Sequence, residues 1–235
     1  SLISNPPLAI AAGVALVAAG ALEFGDAVRL VRLRGEAMQA AVPVGEGAMA
    51  AVIGLEDALI NQVCDAVSEQ TGLPVLAVNF NSPGQVVIAG KAEAVSMAAE
   101  SLKAEGAKRV LPLPVSAPFH TPMMQHAAEV LQAALTEMPV QDPVIPVISN
   151  VNGEAQINAE AIRTLLVDQV VSPVRWTGCM ATMMGMGCRR FIECGPGRVL
   201  TGLTRRIAPE AEGFVICICI ALHDSPQRLQ TMERD

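Results

Sequence analysis

The chain contains no tyrosine, one tryptophan and five phenylalanines among its 235 residues. Aromatic packing is therefore excluded as the main source of its core, and aliphatic side chains must supply it. They are abundant: hydrophobic residues make up 51% of the chain, a share raised by alanine. Basic residues are scarce, 16 against 23 acidic ones, for a net charge of -7. Phosphate binding depends on clustered Lys and Arg, and no basic stripe is present, so a nucleic-acid partner is excluded. The six cysteines, Cys64, Cys179, Cys188, Cys194, Cys217 and Cys219, form no CxxC pair and have no histidine at metal-ligand spacing. That pattern predicts free thiols in a reducing cytoplasm, with no structural metal. A long, strongly apolar run is missing as well. Residues 1–22 are uncharged, but Pro6 and Pro7 interrupt them, and Ala and Gly dominate the stretch after the prolines. Such a segment predicts a buried helix rather than a membrane span, and the basic opening of a signal peptide is absent. Because the chain opens on Ser1 rather than Met, its natural start is expected upstream.

The residues that are present alternate between helix and strand patterns. Residues 8–22 predict a small-residue helix, and 26–41 predict a second one with Ala27, Leu30, Val31 and Met38 on one side and Arg29, Arg32 and Glu36 on the other. Strands are expected at 48–54, 73–80, 85–90 and 108–113, with Asn81-Ser82-Pro83-Gly84 as a hairpin turn. Helices between them carry Leu59, Ile60, Val63 and Val67, then Val95, Ala98, Ala99 and Leu102. The order strand-helix-strand-strand-helix-strand is the split βαβ, ferredoxin-like arrangement. Further on, a helix presents Ala127, Val130, Leu131, Ala134, Leu135 and Met138 and ends at Pro139. A strand at 144–149, helices at 159–170 and 173–185, a strand at 190–193, a tight turn at 195–197, a helix at 198–207 and a strand at 214–222 complete the pattern. The expected fold class is α/β, with a core formed by 1–44 and 115–235 and a ferredoxin-like subdomain at 45–114.

Two residues stand out against this background. His120 lies between prolines in Pro114-Val115-Ser116-Ala117-Pro118-Phe119-His120-Thr121-Pro122. Thr121 before Pro122 reads as an N-cap and first helical residue, which would hold His120 at the positive mouth of a helix and favour its neutral, proton-accepting form. A base or a histidine packed in a turn both satisfy that pattern. Arg34 falls in the middle of the apolar side of its helix, where an unpaired charge is costly. Its partner is either a substrate carboxylate or a structural Asp or Glu.

Five segments, LVRLRGEAMQ around Arg34, NFNSPGQVVIAG at 79–90, LPLPVSAPFH at 111–120, SPVRW at 172–176 and ECGPGRVLTGL at 193–203, together resemble the malonyl-CoA:acyl-carrier-protein transacylases of fatty acid synthesis. Polyketide synthase acyltransferase domains share most of these segments. The resemblance implies an α/β-hydrolase-like acyltransferase core with a short parallel sheet. It also implies ping-pong transfer of a malonyl group from malonyl-CoA to the pantetheine thiol of acyl carrier protein, by a monomeric enzyme without metal or organic cofactor. By motif position, His120 is the base, the backbone of Gln169 orients it, and Arg34 grips the malonyl carboxylate. Gln85 lines the site, and Phe119 crowds out an α-methyl branch. Arg189, Arg190, Arg198, Arg205 and Arg206 are candidates for meeting an acidic carrier protein. The family's Gly-X-Ser-X-Gly nucleophile elbow has no counterpart: its positions fall on Pro7, Ala9 and Ala11, and neither Ser1 nor Ser4 has the required spacing. The resemblance thus leaves open an acyltransferase without a recognisable nucleophile, inactive as it stands, and a noncatalytic relative that binds malonyl groups and carrier protein.

Overall fold

The computed structural model describes residues 6–216 except 116 and 196, with the backbone alone for 6–11 and 216. Helix α1, Pro6–Ala18, starts before the expected position 8 and stops before 22. Gly20, at φ +68°, reverses the chain, and the N–H groups of Ala21 and Leu22 close back on the Leu16 carbonyl. A left-handed glycine that satisfies the last helical carbonyls is the physical reason for the early stop. Small residues let α1 approach α2, Phe24–Ala40, closely: a Cβ on Gly13 would stand 2.8 Å from Val31. Helix α2 buries Ala27, Leu30 and Met38, while Arg29 and Arg32 pair at the surface with Asp26 and Glu36.

The subdomain elements come in the expected order. They are β1 (Gly47–Ile53), α3 (Asp57–Thr71), β2 (Val75–Ser82), β3 (Gln85–Lys91), α4 (Ala92–Ala104) and β4 (Arg109–Pro112). The sheet order is β2-β3-β1-β4, antiparallel throughout, as a split βαβ unit requires. One face packs Val52, Val86 and Ile88 against Ile60, Cys64, Val95 and Leu102 of the two helices. The other face sends Met49, Ala51, Val78, Val87 and Ala89 into the main core, where they join Leu16, Leu30 and Phe119. Strand β2 shifts register between Ala77 and Asn79 and again between Phe80 and Ser82. Its outer edge there pairs with Val174, whose carbonyl accepts from Phe80 N–H at 2.9 Å and whose N–H donates to Val78 O at 2.8 Å. Bulges thus turn the edge of one lobe onto the backbone of the other.

The remaining elements are α5 (Gln125–Glu137), β5 (Val147–Ile148), β6 (Ala155–Gln156), α6 (Ala159–Val171), α7 (Trp176–Gly185), β7 (Arg190–Cys194), α8 (Val199–Ile207) and β8 (Glu212–Ile216). Helix α5 sends Ala127, Ala128, Leu131 and Leu135 inward, and Arg163 of α6 fastens its end by donating to the carbonyls of Leu135, Met138 and Val140. The apolar run 144–149 gives only a two-residue strand, because Val144 and Ile145 are exposed. Strands β7 and β8 pair in parallel around α8. The last strand begins at Glu212, two residues before the hydrophobic run. Residues 217–222 of the expected strand lie outside the described residues, as do Ser1 and Ser4.

Candidate active site

Three of the residues singled out by the sequence come together. Gln169 sits in the last turn of α6, where backbone carbonyls have no donor within the helix. Its normal donor would be the N–H four residues on, but that residue is Pro173, which has none. The free carbonyl instead accepts from His120 Nδ1 at 2.8 Å. A carbonyl only accepts, so Nδ1 carries the proton and Nε2 keeps a lone pair. On the same glutamine, Oε1 accepts from Arg34 Nη2 at 3.4 Å.

His120 is buried and adopts φ +63°, a left-handed conformation uncommon outside glycine. It is held there by its surroundings. Thr121 Oγ1 donates to Pro118 O at 2.7 Å, and Pro118 lies so close to β1 that a Cβ on Gly47 would stand 2.3 Å from its ring. Glycine at 47 is what lets the loop bed down. Thr121 is the N-cap residue as expected, with extended backbone and with Pro122 first in a 3-10 turn that runs directly into α5 at Gln125, but its hydroxyl caps no N–H. Two causes lower the pKa of His120. Burial, and then the nearby Arg34 charge, lower the His120 pKa to about 4, while the Gln169 and Ser172 backbone pulls it the other way. The imidazole is neutral at pH 7, poised as an acceptor at Nε2.

Arg34 reaches into a cleft of about 20 Å³ beside Leu16, Leu30 and Leu131. Desolvation lowers its pKa to about 10, which still leaves it charged at pH 7. Its Nε is buried with no partner, and no Asp or Glu pairs with it among the described residues. Of the two partners open to it, no structural Asp or Glu is found among the described residues, and its side-chain partner is Gln169 Oε1.

Neither Gln85 nor Phe119 is hydrogen-bonded to this group. Gln85, at the start of β3, accepts from Arg206 of α8 and lies near Ser82 Oγ. Phe119 is a core residue packed with the main hydrophobic cluster. Of the other candidate cations, Arg189 donates to the Met184 and Cys188 carbonyls, and Arg190, Arg198 and Arg205 are exposed. The buried thiols of Cys64 and Cys179 are pushed up to about 12 by desolvation, so neither supplies a thiolate nucleophile. Pro7, Ala9 and Ala11 lie within α1. Among the described residues, no hydroxyl or thiol is hydrogen-bonded to His120, and no group of three His, Cys, Asp or Glu residues is placed to hold a metal.

Sequence reasoning missed Pro173, Gly47 and Glu193. Counting four residues on from Gln169 would have found the first; Gly47 carries no local signal, because its neighbour comes from a distant loop. Glu193 is buried, which alone would raise its pKa. Hydrogen bonds from Thr201 N–H and Oγ1 and from Leu200 N–H nevertheless pull it below the usual range and anchor the start of α8.

Comparison with known proteins adds the family. Residues 11–223 match the acyl transferase domain. The chain belongs to the acyl transferase domain family. Within that family it is 52% identical over 193 residues to a malonyl CoA-acyl carrier protein transacylase of Escherichia coli O157:H7, an alignment covering 82% of this chain and 62% of that protein. The solved malonyl CoA-acyl carrier protein transacylase of Coxiella burnetii is 44% identical with a TM-score of 0.83, covering 87% of this chain and 64% of that one. A malonyl-transacylase solved with its type II polyketide-synthase acyl-carrier protein is 47% identical, also with a TM-score of 0.83, covering 87% and 66%. This acyl transferase chain thus spans less than two thirds of the length of each of these relatives.

Proposed function

We propose that this chain carries the base and the carboxylate clamp of a malonyl transferase acting between malonyl-CoA and the pantetheine thiol of an acyl carrier protein. The observation that carries this reading is the convergence of His120 and Arg34 on opposite ends of one residue, Gln169. The Gln169 carbonyl holds the imidazole with Nε2 free, the requirement for a general base. Its side chain accepts from one guanidinium N–H and leaves the buried Nε–H of Arg34 unpartnered, so a free carboxylate on the substrate is favoured over a simple acyl group. Substrate and acceptor are those of the relatives named as malonyl CoA-acyl carrier protein transacylases.

In the full cycle, a nucleophilic oxygen gives its proton to His120 Nε2 and attacks the malonyl thioester carbonyl. The tetrahedral intermediate expels the CoA thiolate, which is protonated by the imidazolium, and the carrier-protein thiol reverses the sequence. Gln85 is assigned to the lining of the site and Phe119 to selectivity against a branched acyl group. Of the described residues, those within 1–44 and 115–235 are assigned to one lobe, and 45–114 to the other. No serine in this chain fits the nucleophile elbow, so the chain by itself is expected to bind malonyl-CoA without forming an acyl-enzyme. Incubation with radiolabelled malonyl-CoA, then denaturation and counting of protein-bound label, tests this. Binding without covalent label is expected. Stoichiometric label would show that a nucleophile is present after all, and loss of malonyl-CoA binding would overturn the clamp.

A further inference from the structure

We infer, on the reading of Arg34 as a carboxylate clamp, that the side chain of Gln169 is a positioning residue that sets the acyl selectivity of this site. It holds the guanidinium through a neutral acceptor and reserves the Arg34 charge for an acid-bearing acyl group, so that the arrival of such a group is felt at His120. Helix α2 supplies the comparison. Its other arginines, Arg29 and Arg32, are matched at the surface by Asp26 and Glu36 one turn away. Arg34 reaches inward instead, and there it meets an amide 135 residues distant in the chain. An arginine only donates, so the end of the amide facing it is Oε1, and the contact brings no opposing charge.

The surroundings make the residue type at 169 decisive. Leu16, Leu30, Leu131 and Leu166 wall the cleft, whose volume of about 20 Å³ admits one small group, the size of a carboxylate end or a water. Apolar walls leave the charge unscreened, and the buried Nε has no acceptor. A glutamate at 169 would close an ion pair with the fork and turn a like charge toward an acidic ligand. A methionine there would keep the length but offer no acceptor, freeing the guanidinium to swing toward water. Glutamine fixes the fork and leaves its charge unanswered. The other end of the residue carries the consequence to the base, because the Gln169 carbonyl holds His120 Nδ1 at 2.8 Å. Arg34 is the one charged side chain that acts on the imidazole, lowering its pKa further than burial does. Helix α5 carries His126, Glu129 and Glu137, all exposed. On α6, Glu160 is exposed, Arg163 is engaged by carbonyls at the end of α5, and Asp168 is half-buried. A carboxylate seated on Arg34 cancels the field of the guanidinium, so His120 becomes a stronger base when an acid-bearing acyl group is in place and stays a weaker one beside an acetyl group.

Binding of malonyl-CoA and of acetyl-CoA is measured by calorimetry, beside NMR titration of the His120 imidazole with and without malonyl-CoA. Gln169→Glu is expected to cut the preference for malonyl-CoA roughly tenfold or more, the value of a charge-assisted hydrogen bond, and to leave the affinity for acetyl-CoA unchanged. Gln169→Met removes the acceptor without adding charge and should cut the preference about fivefold, the value of an ordinary hydrogen bond. Malonyl-CoA should raise the His120 midpoint of the parent by about half a pH unit or more. In Gln169→Glu that midpoint should be raised already, and the ligand should not move it. The Nδ1 proton of His120 is bonded to the backbone, so its resonance should persist in both variants and reports an intact fold. A merely structural glutamine would lower stability in both variants while the parental preference and midpoint remained. Parental preference in both would overturn the inference and leave the clamp standing. A parent that does not prefer malonyl-CoA would overturn the clamp itself, and the inference with it.

Discussion

Arg34 combines a cost to folding with a use in binding. Its guanidinium is desolvated, its Nε has no partner, and its one side-chain hydrogen bond, to Gln169 Oε1, is long at 3.4 Å. Replacing a poorly paired buried charge by an apolar side chain of similar length is commonly neutral or stabilising. Arg34→Met is therefore expected to leave the urea midpoint unchanged or raise it, while the preference for malonyl-CoA over acetyl-CoA in calorimetric binding falls roughly 10- to 100-fold, the value of a charge-assisted hydrogen bond. A lower midpoint together with an unchanged preference would refute the clamp. His120 has the opposite balance, a neutral group kept neutral. Its folded pKa of about 4 lies below the ordinary 6.5, so between those values the unfolded chain binds a proton that the folded chain refuses. Stability supplied by this residue is complete above pH 6.5 and drains as pH falls toward 4, by on the order of 3 kcal/mol. Denaturant melts of the parent and of His120→Asn, which tolerates the left-handed backbone, should diverge over that window; parallel curves would show that His120 does not titrate this way.

Among the elements, the C-terminal turn of α6 decides the site. Pro173 deletes the N–H that would otherwise claim the Gln169 carbonyl. Pro173→Ala restores a competing donor, so the His120 Nδ1–H bond should weaken and the two tautomers should mix. The slowly exchanging, downfield Nδ1 proton of His120 in the NMR spectrum is expected to broaden or vanish while α6 lengthens. Persistence of that resonance would show that the proline acts only on the helix and not on the base. The Thr121 reading illustrates the limit of local rules at this scale. Thr-Pro does start the 3-10 turn that leads into α5, yet the hydroxyl donates to Pro118 O within the same loop instead of capping an N–H, because a side chain takes whichever partner the packed loop offers. Strand β5 shows the same limit in another form: an apolar run of six residues predicts a strand, but edge pairing with β6 extends over only two.

At the scale of the whole molecule, the subdomain sheet is covered on both faces, by its own helices and by the main core. This joins the two lobes where Val174 extends β2 and where Pro118 rests on Gly47, within reach of the loop that carries His120. The sequence by itself determined the helices with clear apolar faces, the strand order of the subdomain, and the presence of a rigid histidine and an ill-placed arginine. Those features are written in local period and in proline and glycine chemistry, which act over a few residues. It did not determine that Gln169 serves both residues, that Gln85 turns to Arg206, or that Phe119 packs in the core. These depend on contacts across 49 residues for His120 and 135 for Arg34. Such contacts exist only once α2, α5 and α6 have packed, because it is the burial of their shared face that sets the distance between them.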